Sequence, residues 1–339
     1  MTEKKLFTND IAITTRVRLA RNLIGIPFPG NMNEETALAV NQKVRESLQN
    51  PALDFYHFRY IDMEEVTELQ RMSFVERHLI SPDLGKHSHS GVLFSEDETV
   101  SIMINEEDHL RIQCIMQGFA LSDAYMTADK IDDMVQEKID YAFSDKYGYL
   151  TSCPTNVGTA MRAGVMLHIP AIVLKSELNL VVTMANKYGL TIRGIYGEGS
   201  AALGDLFQIS NQNSLGLSED EVIRNLHAVT KEIIKMERIE RNEMLIQSED
   251  ETKDKVFRAF GLLTNAHMIS TREAMKLLSI VRMGIDLNII DGIPADTLNR
   301  LMINIQPATL SLLYCIEPDE KTRDIYRSDY IHEILSNQK

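Results

Sequence analysis

Two arginines separated by one residue stand near the start of the chain, in the segment ITTRVRLARN (residues 13–22). Arg16 and Arg18 alternate with apolar residues that include Val17 and Leu19, which is the pattern of a half-buried β-strand carrying both guanidinium groups on one face. Two guanidinium groups on one face suit the bidentate binding of phosphate. Charges of this kind also protect an exposed strand edge, and the pair alone leaves both interpretations open.

Three consecutive acids follow an apolar segment in SIMINEEDHLRI (residues 101–112). Glu106, Glu107 and Asp108 stand where a predicted strand meets a loop, and Arg111 comes four residues after Glu107. Loops at strand ends are frequent positions for functional side chains on a rigid scaffold. A solvated surface loop fits the same pattern, so this segment alone leaves both interpretations open.

Two further segments combine glycine with residues that bind anions or transfer protons. In TSCPTNVGTAMRAGV (residues 151–165) a Cys-Pro turn and a glycine precede a predicted helical run from about Thr159, whose free amides would receive an anion beside Arg162. Cys153, taken alone, fits a small buried packing residue better than a reactive thiol. In RGIYGEGS, Arg193 and Glu198 stand among three glycines, which let a ligand approach the backbone closely.

Length and composition predict a globular protein of one large domain or two ordinary ones, with 339 residues and 44% hydrophobic content. Since no apolar run approaches about 20 residues and the start lacks the apolar core of a signal peptide, we expect a cytoplasmic protein without a membrane partner. A formal net charge of −14 disfavours nucleic acid as a partner. Three widely spaced cysteines without a C-x-x-C pair predict reduced thiols and no metal site.

Hydrophobic periodicity separates two regions of the chain. Up to about Gln247, alternating segments mix with helical ones, and Ser218 with Glu221 forms a capping box at the start of one long predicted helix. After the charged stretch at residues 247–255, only helical patterns remain, such as STREAMKLLSIVRMG and ADTLNRLMINI. The sequence therefore predicts an α/β region followed by an all-helical second domain.

Five segments taken together resemble the guanidino (phosphagen) kinase family, which includes arginine and creatine kinases. TTRVRLAR, NEEDHLRI, CPTNVGTAMRAGV, RGIYGEGS and ISNQNSLGLSEDEVI occur in that order over about residues 11–241, whereas a P-loop and the H-R-D and D-F-G motifs of other kinases are missing. The resemblance implies an α/β (α+β) catalytic domain with a mainly antiparallel sheet flanked by helices.

The order of the domains resembles one branch of this family, the bacterial protein arginine kinases. Phosphagen kinases carry a helical domain before the TRVR strand, whereas here that strand is near the start and the helical segments follow. The resemblance implies a catalytic domain at residues 11–241 and a helical domain for dimerisation and phosphoarginine sensing at residues 249–339.

The resemblance also implies a site for ATP and Mg²⁺, in which arginines replace a P-loop lysine, and no protein ligand for a metal. Glu107 and Glu198 are implied to hold the acceptor guanidinium, with Glu198 as the base and Cys153 as a positioning neighbour. Small-molecule arginine kinases have an arginine at the position of Tyr196. The implied ATP-binding residues are Thr14, Thr15, Arg16, Val17, Arg18, His78, Arg111, Arg162, Ala163, Gly164, Val165, Met166, Arg193, Gly194, Ile195, Tyr196, Gly197 and Glu198.

A second candidate site is TRDIYRSDYIHEIL near the end of the chain. Arg323 and Arg327 are four residues apart on a predicted helix with Asp324 beside them, which by pattern alone fits a solvated face with ion pairs. The segment resembles the R-D-x-x-R-A motif with which protein arginine kinases bind phosphoarginine, with Ser328 in place of the alanine. The resemblance therefore implies an allosteric site at these four residues.

The expected function is phosphorylation of arginine side chains in proteins. By resemblance, the partners are protein substrates that include a heat-shock transcriptional repressor, a zinc-containing activator protein, a Clp ATPase and protease, and a second copy of the chain in a homodimer or higher oligomer. Two alternatives stay open: a kinase of free arginine or another small guanidine, disfavoured by the domain order, and an inactive phosphoarginine-binding adaptor, disfavoured by the glutamates and arginines.

Overall fold

The computed structural model describes residues 10–195, 202–315 and 319–336. These residues form ten β-strands and eleven α-helices. The strands are β1 (Ala12–Arg21), β2 (Arg59–Asp62), β3 (Gly91–Phe94), β4 (Val100–Ile104), β5 (Leu110–Gln117), β6 (Phe143–Ser144), β7 (Gly148–Tyr149), β8 (Met161–His168), β9 (Leu190–Gly194) and β10 (Leu206–Asn211). The helices are α1 (Glu34–Ser47), α2 (Glu68–Glu76), α3 (Leu121–Gln136), α4 (Pro170–Leu174), α5 (Leu178–Lys187), α6 (Glu219–Gln247), α7 (Glu249–Asn265), α8 (Thr271–Asp286), α9 (Ala295–Asn304), α10 (Pro307–Tyr314) and α11 (Glu320–Ser336).

Eight strands form one antiparallel sheet in the order β2-β3-β4-β5-β1-β8-β10-β9. Strand β1 lies in its interior between β5 and β8, and along it Val17 and Leu19 are buried while Arg16 and Arg18 are half-buried on the other face. The predicted strand with two arginines on one face is therefore confirmed. The strand-edge interpretation of the arginine pair is wrong, because β1 has a neighbour on each side.

One face of the sheet is packed against helices. Val17 and Leu19 of β1 share a hydrophobic core with Leu121 and Ile131 of α3 and with Leu226 of α6. The opposite face carries the polar and charged side chains of β1, β5, β8 and β10. The predicted fold class, an antiparallel sheet flanked by helices followed by a helical region, is confirmed.

Residues 161–168 form strand β8, so the predicted helical run from Thr159 is wrong. Strand β8 pairs with β1 on one side and β10 on the other, and the ladder places Arg162 opposite Arg18. Met, Arg, Ala and Leu are all good helix formers, which is why the local pattern favoured a helix. Two neighbouring strands supply hydrogen bonds that local propensity does not include, and they decide the structure. Arg162 is consequently positioned by the sheet and not by a helix terminus.

Helices α6 to α11 follow the sheet in the chain. Helix α6 begins with the predicted capping box, in which Glu221 N donates to Ser218 and Ser218 N donates to the Glu221 carboxylate. The predicted charged boundary at residues 247–255 lies largely within helix, because α7 begins at Glu249. The core of the C-terminal helices includes Ile13 and Leu206 from the sheet, so these helices pack directly on the sheet. Along the ranges described above, no helix is long and apolar enough to cross a membrane.

A buried polar network joins the sheet to α6 and α8. His168 Nδ1 accepts from Arg282 Nη1 at 2.9 Å and Arg241 Nη2 lies 3.3 Å from it, while His168 Nε2 donates to the Ser279 hydroxyl at 2.8 Å. Asp286 accepts from both arginines. Burial and the two positive charges hold the pKa of His168 well below its ordinary value. The histidine is therefore neutral and fixes the contact between the two regions.

Candidate active site

Five arginines project from the polar face of the sheet. In the strand registers, Arg18 of β1 lies opposite Arg162 of β8, Ala20 lies opposite Arg111 of β5, and Arg193 of β9 lies opposite Gln208 of β10. Side chains opposite one another in a ladder share a face. The arginine row, defined as Arg16, Arg18, Arg111, Arg162 and Arg193, therefore lies on a single face of the sheet. That these five residues act together on one ligand stays a prediction.

The arginine row is electrostatically unfavourable without an anion. Burial, with the positive charges of Arg16, Arg111 and Arg162, lowers the pKa of Arg18 well below its ordinary value. Burial and the charges of Arg193 and Arg111 lower the pKa of Arg162. Like charges brought together in a partly buried cleft repel one another, and a polyanion removes that cost. The geometry therefore fits a chain of phosphates.

Arg16 is oriented by a glutamine that the sequence did not single out. Gln208 Oε1 accepts from Arg16 Nη2 at 2.9 Å. A Cβ at Gly164, between these strands, would lie 2.8 Å from Gln208 Nε2 and 2.9 Å from the Ile209 carbonyl oxygen. Gly164 therefore leaves room for Gln208. Alternation of Phe207 and Ile209 with Gln208 is the period-two signal that would have placed Gln208 on the cleft face.

Three adjoining cavities follow the arginine row along the cleft. The first, of about 380 Å³, is lined by Arg16, His78 and Met166 among others. The second cavity is lined by Arg16 and Arg18: Arg16 also lines the first cavity, and Arg18 also lines the third. The third contains Arg18, Arg111 and Arg162 together with the acidic loop and Cys153. An extended ligand would therefore run from the first cavity over Arg16 and Arg18 to the acidic end.

The acidic end of the cleft is organised by Glu106, for which the sequence predicted no role of its own. Glu106 is buried; it accepts from Ser81 Oγ at 2.6 Å and from the Glu107 backbone at 2.7 Å, and it pairs with Arg111 at 2.8 Å. Arg111 Nη2 also lies 3.2 Å from Glu107 Oε2. Glu106 thus fixes both Arg111 and the backbone of Glu107. The three consecutive acids predicted a loop with functional side chains, but only the fold shows that the Glu106 carboxylate is buried.

Glu107 is the carboxylate that faces the open part of the third cavity. Its side chain is 41% exposed, and partial burial raises its pKa in spite of the nearby Arg111 charge. Cys153 lies in the same cavity, half-buried, with Sγ 3.0 Å from Thr155 Oγ1. The structure therefore brings Glu107 and Cys153 together beside the arginine row. Glu198, Tyr196 and Gly197 lie outside the described residues.

His78 lies at the other end of the row, where the first cavity begins. Burial and the charge of Arg16 lower its pKa to about 3, so its imidazole is neutral at physiological pH. Thr14 and Met166 line the same cavity. An uncharged imidazole beside apolar side chains suits a nucleobase better than a phosphate. That His78 lies near adenine or ribose stays a prediction.

Four of the predicted ATP-binding residues have side chains behind the sheet. Thr15, Val17, Ala163 and Val165 are buried on the helix-covered face, where Thr15 Oγ1 donates to the Gly118 carbonyl at 2.7 Å. A strand alternates its side chains between two faces, so a continuous run of residues cannot all reach one ligand. The prediction that these four residues bind ATP is therefore wrong for their side chains.

Two more of the predicted ATP-binding residues lie at the end of β9. Gly194 pairs with Phe207 of β10, and Ile195 packs against the core of the C-terminal helices.

The predicted phosphoarginine site lies on helix α11. Arg327 is buried, Nε donating to the Ile305 carbonyl at 2.9 Å and Nη1 to the Ile269 carbonyl at 2.8 Å, and it pairs with Asp324. The Ser328 hydroxyl donates to the Ala266 carbonyl. The helix is confirmed, but the interpretation of a solvated face is wrong for Arg327. Arg323 is half-buried one turn away on the same helix.

The described residues do not form a protein-held metal site. Within the described ranges, no group of three or more His, Cys, Asp or Glu side chains is placed to hold an ion. The arginine row and Gln208 offer donors and an amide oxygen in place of the carboxylates that Mg²⁺ takes from proteins. A magnesium ion in this cleft would therefore take its oxygen ligands from a phosphate chain and water.

Comparison with known families gives two matches that together span most of the chain. Residues 39–240 match the family described as "ATP:guanido phosphotransferase, C-terminal catalytic domain". Residues 249–339 match "Protein-arginine kinase McsB C-terminal domain".

Similar curated proteins extend over nearly the full chain. A protein-arginine kinase of Caldanaerobacter subterraneus subsp. tengcongensis is 45% identical over 336 residues, which are 98% of this chain and 99% of that protein. Protein-arginine kinases of Bacillus pumilus and Bacillus subtilis are 46% and 44% identical, each over 96% of this chain and 90% of the relative.

Solved structures share the fold at low identity. A lombricine kinase has a TM-score of 0.61 at 23% identity, covering 68% of this chain and 67% of its own. The duplicated taurocyamine kinase from Schistosoma mansoni with bound transition state analog components has a TM-score of 0.64 at 22% identity, covering 79% of this chain and 40% of its own.

Proposed function

We propose a mechanism for this chain, which belongs to the ATP:guanido phosphotransferase family as a protein-arginine kinase and uses ATP to phosphorylate arginine in protein substrates. The arginine row binds the ATP phosphates, and the acidic end of the cleft receives the arginine side chain of the substrate. The convergence of five arginines on one sheet face, ending at Glu107, carries this proposal.

Phosphate binding is assigned to the arginine row because its members share one face of the sheet and bring several positive charges close together. Their guanidinium forks bind phosphate oxygens bidentately and place the γ-phosphate near Arg111 and Arg162, beside Glu107. A Mg²⁺ ion bound to the phosphates would neutralise part of their charge. Holding the reactants in one geometry removes much of the entropic barrier to transfer.

The acceptor guanidinium needs two carboxylates because it is protonated and its nitrogen lone pairs are delocalised. We assign Glu107 to orient the planar fork, with Cys153 beside it, and Glu198 to accept the proton. As the nitrogen attacks in line, an N–P bond forms and the bond from the γ-phosphorus to the bridging oxygen breaks. The bond electrons leave with ADP, and the guanidinium proton passes to the carboxylate.

The substrate is an arginine within a protein rather than a free guanidine. The relatives that cover nearly all of this chain are protein-arginine kinases, whereas the lombricine and taurocyamine kinases share only the fold. An inactive adaptor is disfavoured because the arginine row, Glu106 and Glu107 form a connected site.

The partners and location are further proposals that follow from family membership. We propose a heat-shock transcriptional repressor and proteins destined for a Clp protease as cytoplasmic substrates, and a zinc-containing protein as activator. We also propose a homodimer or higher oligomer formed through the C-terminal helices. Phe257 and Leu262 of α7 support that assembly, because 55% and 50% of their surfaces are exposed.

The direct test is incubation with ATP and Mg²⁺ and three acceptors: a protein rich in exposed arginine, the same protein with those arginines replaced by lysine, and free arginine. Acid-labile phosphate on the first acceptor alone is expected, because a phosphoramidate hydrolyses in acid. Phosphate on free arginine at an equal rate would support a small-molecule kinase. No transfer to any acceptor, with phosphoarginine still bound, would support the adaptor.

A further inference from the structure

We propose that helix α9 of the C-terminal domain forms one wall of the nucleobase end of the cleft, and that Arg300 contacts the bound nucleotide there. This inference rests on the proposed function, since it takes the first cavity as the nucleobase end. It makes the C-terminal domain a direct part of the ATP site rather than only a dimerisation and sensing module.

The first cavity is bounded by residues from both regions of the chain. The sheet contributes Arg16 and Met166, and the segment after α2 contributes His78. The opposite wall is α9, from which Arg300 and Ile303 line the same space. A ligand held by Arg16 and passing His78 therefore lies against α9.

Arg300 is the feature of this wall that points to a ligand. It is exposed, and within the described part of the chain it has no hydrogen bond or ion pair. The other arginines of this cavity are engaged, Arg16 with Gln208 at 2.9 Å and Arg77 with Glu98. A planar guanidinium stacks favourably on an aromatic ring, and a nucleobase offers such a ring. Apolar Ile303 and Met166 complete a slot for that base.

Helix α9 is held firmly enough to serve as a wall. Asn299 Oδ1 accepts from Arg282 Nε at 2.7 Å, which ties one turn of the helix to the buried network at His168. Asn304 Nδ2 donates to the Tyr330 hydroxyl at 2.8 Å. A wall fixed on two sides contributes to binding without a large ordering cost.

The same helix connects the nucleotide cavity to the phosphoarginine motif. Ile305 is the residue after α9, and its carbonyl accepts from Arg327 Nε at 2.9 Å. A shift of Arg327 would therefore act on the end of the helix that lines the first cavity. The two sites are joined by described contacts through Arg327, Ile305 and α9.

The test compares ADP with tripolyphosphate, both with Mg²⁺, by calorimetry on the full chain. Tripolyphosphate engages the arginine row but has no base to contact Arg300. We expect Arg300→Ala to weaken ADP binding about three- to thirty-fold, the range of a cation–π contact, and to leave tripolyphosphate binding unchanged. Arg300→Lys, which keeps the charge but loses the plane, is expected to recover only part of the affinity.

Arg272→Ala is the matched control, because Arg272 is an exposed arginine on α8 that does not line the cavity. Unchanged ADP affinity in Arg300→Ala, or equal weakening of ADP and tripolyphosphate, would overturn the inference. Failure of the phosphate assignment has a different signature: Arg16→Ala would then leave both ligands bound as tightly as in the wild type.

Discussion

Arg18 lies directly opposite Arg162 across the β1–β8 pair, so two positive charges face each other in the interior of the sheet. Burial, together with nearby like charges, lowers the pKa of both groups. The repulsion between the two arginines lowers the stability of the free protein, and the same positive charge favours anion binding. Removing one arginine should therefore raise or preserve stability while it lowers the affinity for nucleotide.

Arg162→Ala is expected to leave the thermal stability of the free protein unchanged or raised, while reducing the stabilisation by ADP. At a ligand concentration of 100 times Kd the wild type gains about 2.7 kcal/mol, and the variant at the same concentration should gain much less. Thermal unfolding with and without ADP measures both effects. Arg224→Ala, an exposed change on α6, is the control. Full stabilisation of Arg162→Ala by ADP would refute the phosphate assignment.

Glu107→Gln is expected to lower phosphotransfer to protein arginine about 10²- to 10⁴-fold while ADP binding changes little, because the carboxylate faces the acceptor rather than the phosphates. Glu198→Ala is expected to behave in the same way. Single-turnover kinetics and calorimetry separate the two properties. Glu65→Gln, at an exposed position, controls for charge. Retention of more than about a tenth of wild-type turnover by Glu107→Gln would remove it from the mechanism.

Free phosphoarginine is expected to raise the activity of the wild type, and Asp324→Ala or Arg323→Ala is expected to abolish that response. The dianionic phosphate suits the arginines and the ligand guanidinium suits Asp324, so both ends of the ligand are recognised. Arg327 is unsuitable as the test position, because it is buried and holds two backbone carbonyls. Activity assays with added phosphoarginine, and its affinity by calorimetry, provide the measurement.

Asp329→Ala is the control for this experiment, since Asp329 is exposed on the same helix. Coupling between two binding sites is reciprocal. If phosphoarginine changes the affinity for ADP by some factor, saturating ADP should change the affinity for phosphoarginine by the same factor. Equal stimulation of the wild type and both variants would return α11 to a purely structural role.

Stability is expected to fall as pH falls from 7.5 to 5.5, and His168→Gln should reduce that dependence. The folded protein keeps His168 neutral, whereas the unfolded chain takes up a proton below about pH 6.5, so acid favours unfolding. The contribution of one such histidine is about 1.4 kcal/mol at pH 5.5. Denaturant unfolding at the two pH values measures it, and an identical pH dependence in the variant would contradict the assignment.

Local patterns determined much of this protein from its sequence alone. The alternation around Arg16 and Arg18, the acids ending at Asp108 and the capping box at Ser218 each depend on side chains within a few residues. Such patterns fix whether a segment buries one face and which face that is. They predicted strand β1, helix α6 and a helical C-terminal region, and the ordered motifs indicated the family.

Only the tertiary structure decided which residues meet. Residues 161–168 are a strand because β1 and β10 supply their hydrogen bonds, and neither neighbour is close in sequence. Thr15 and Val17 lie behind the sheet because the pleat alternates, and Arg327 is buried because carbonyls from two other segments accept from it. The approach of α9 to Arg16 likewise spans nearly the whole chain. Burial and long-range hydrogen bonding are properties of pairs of segments, so no single segment contains them.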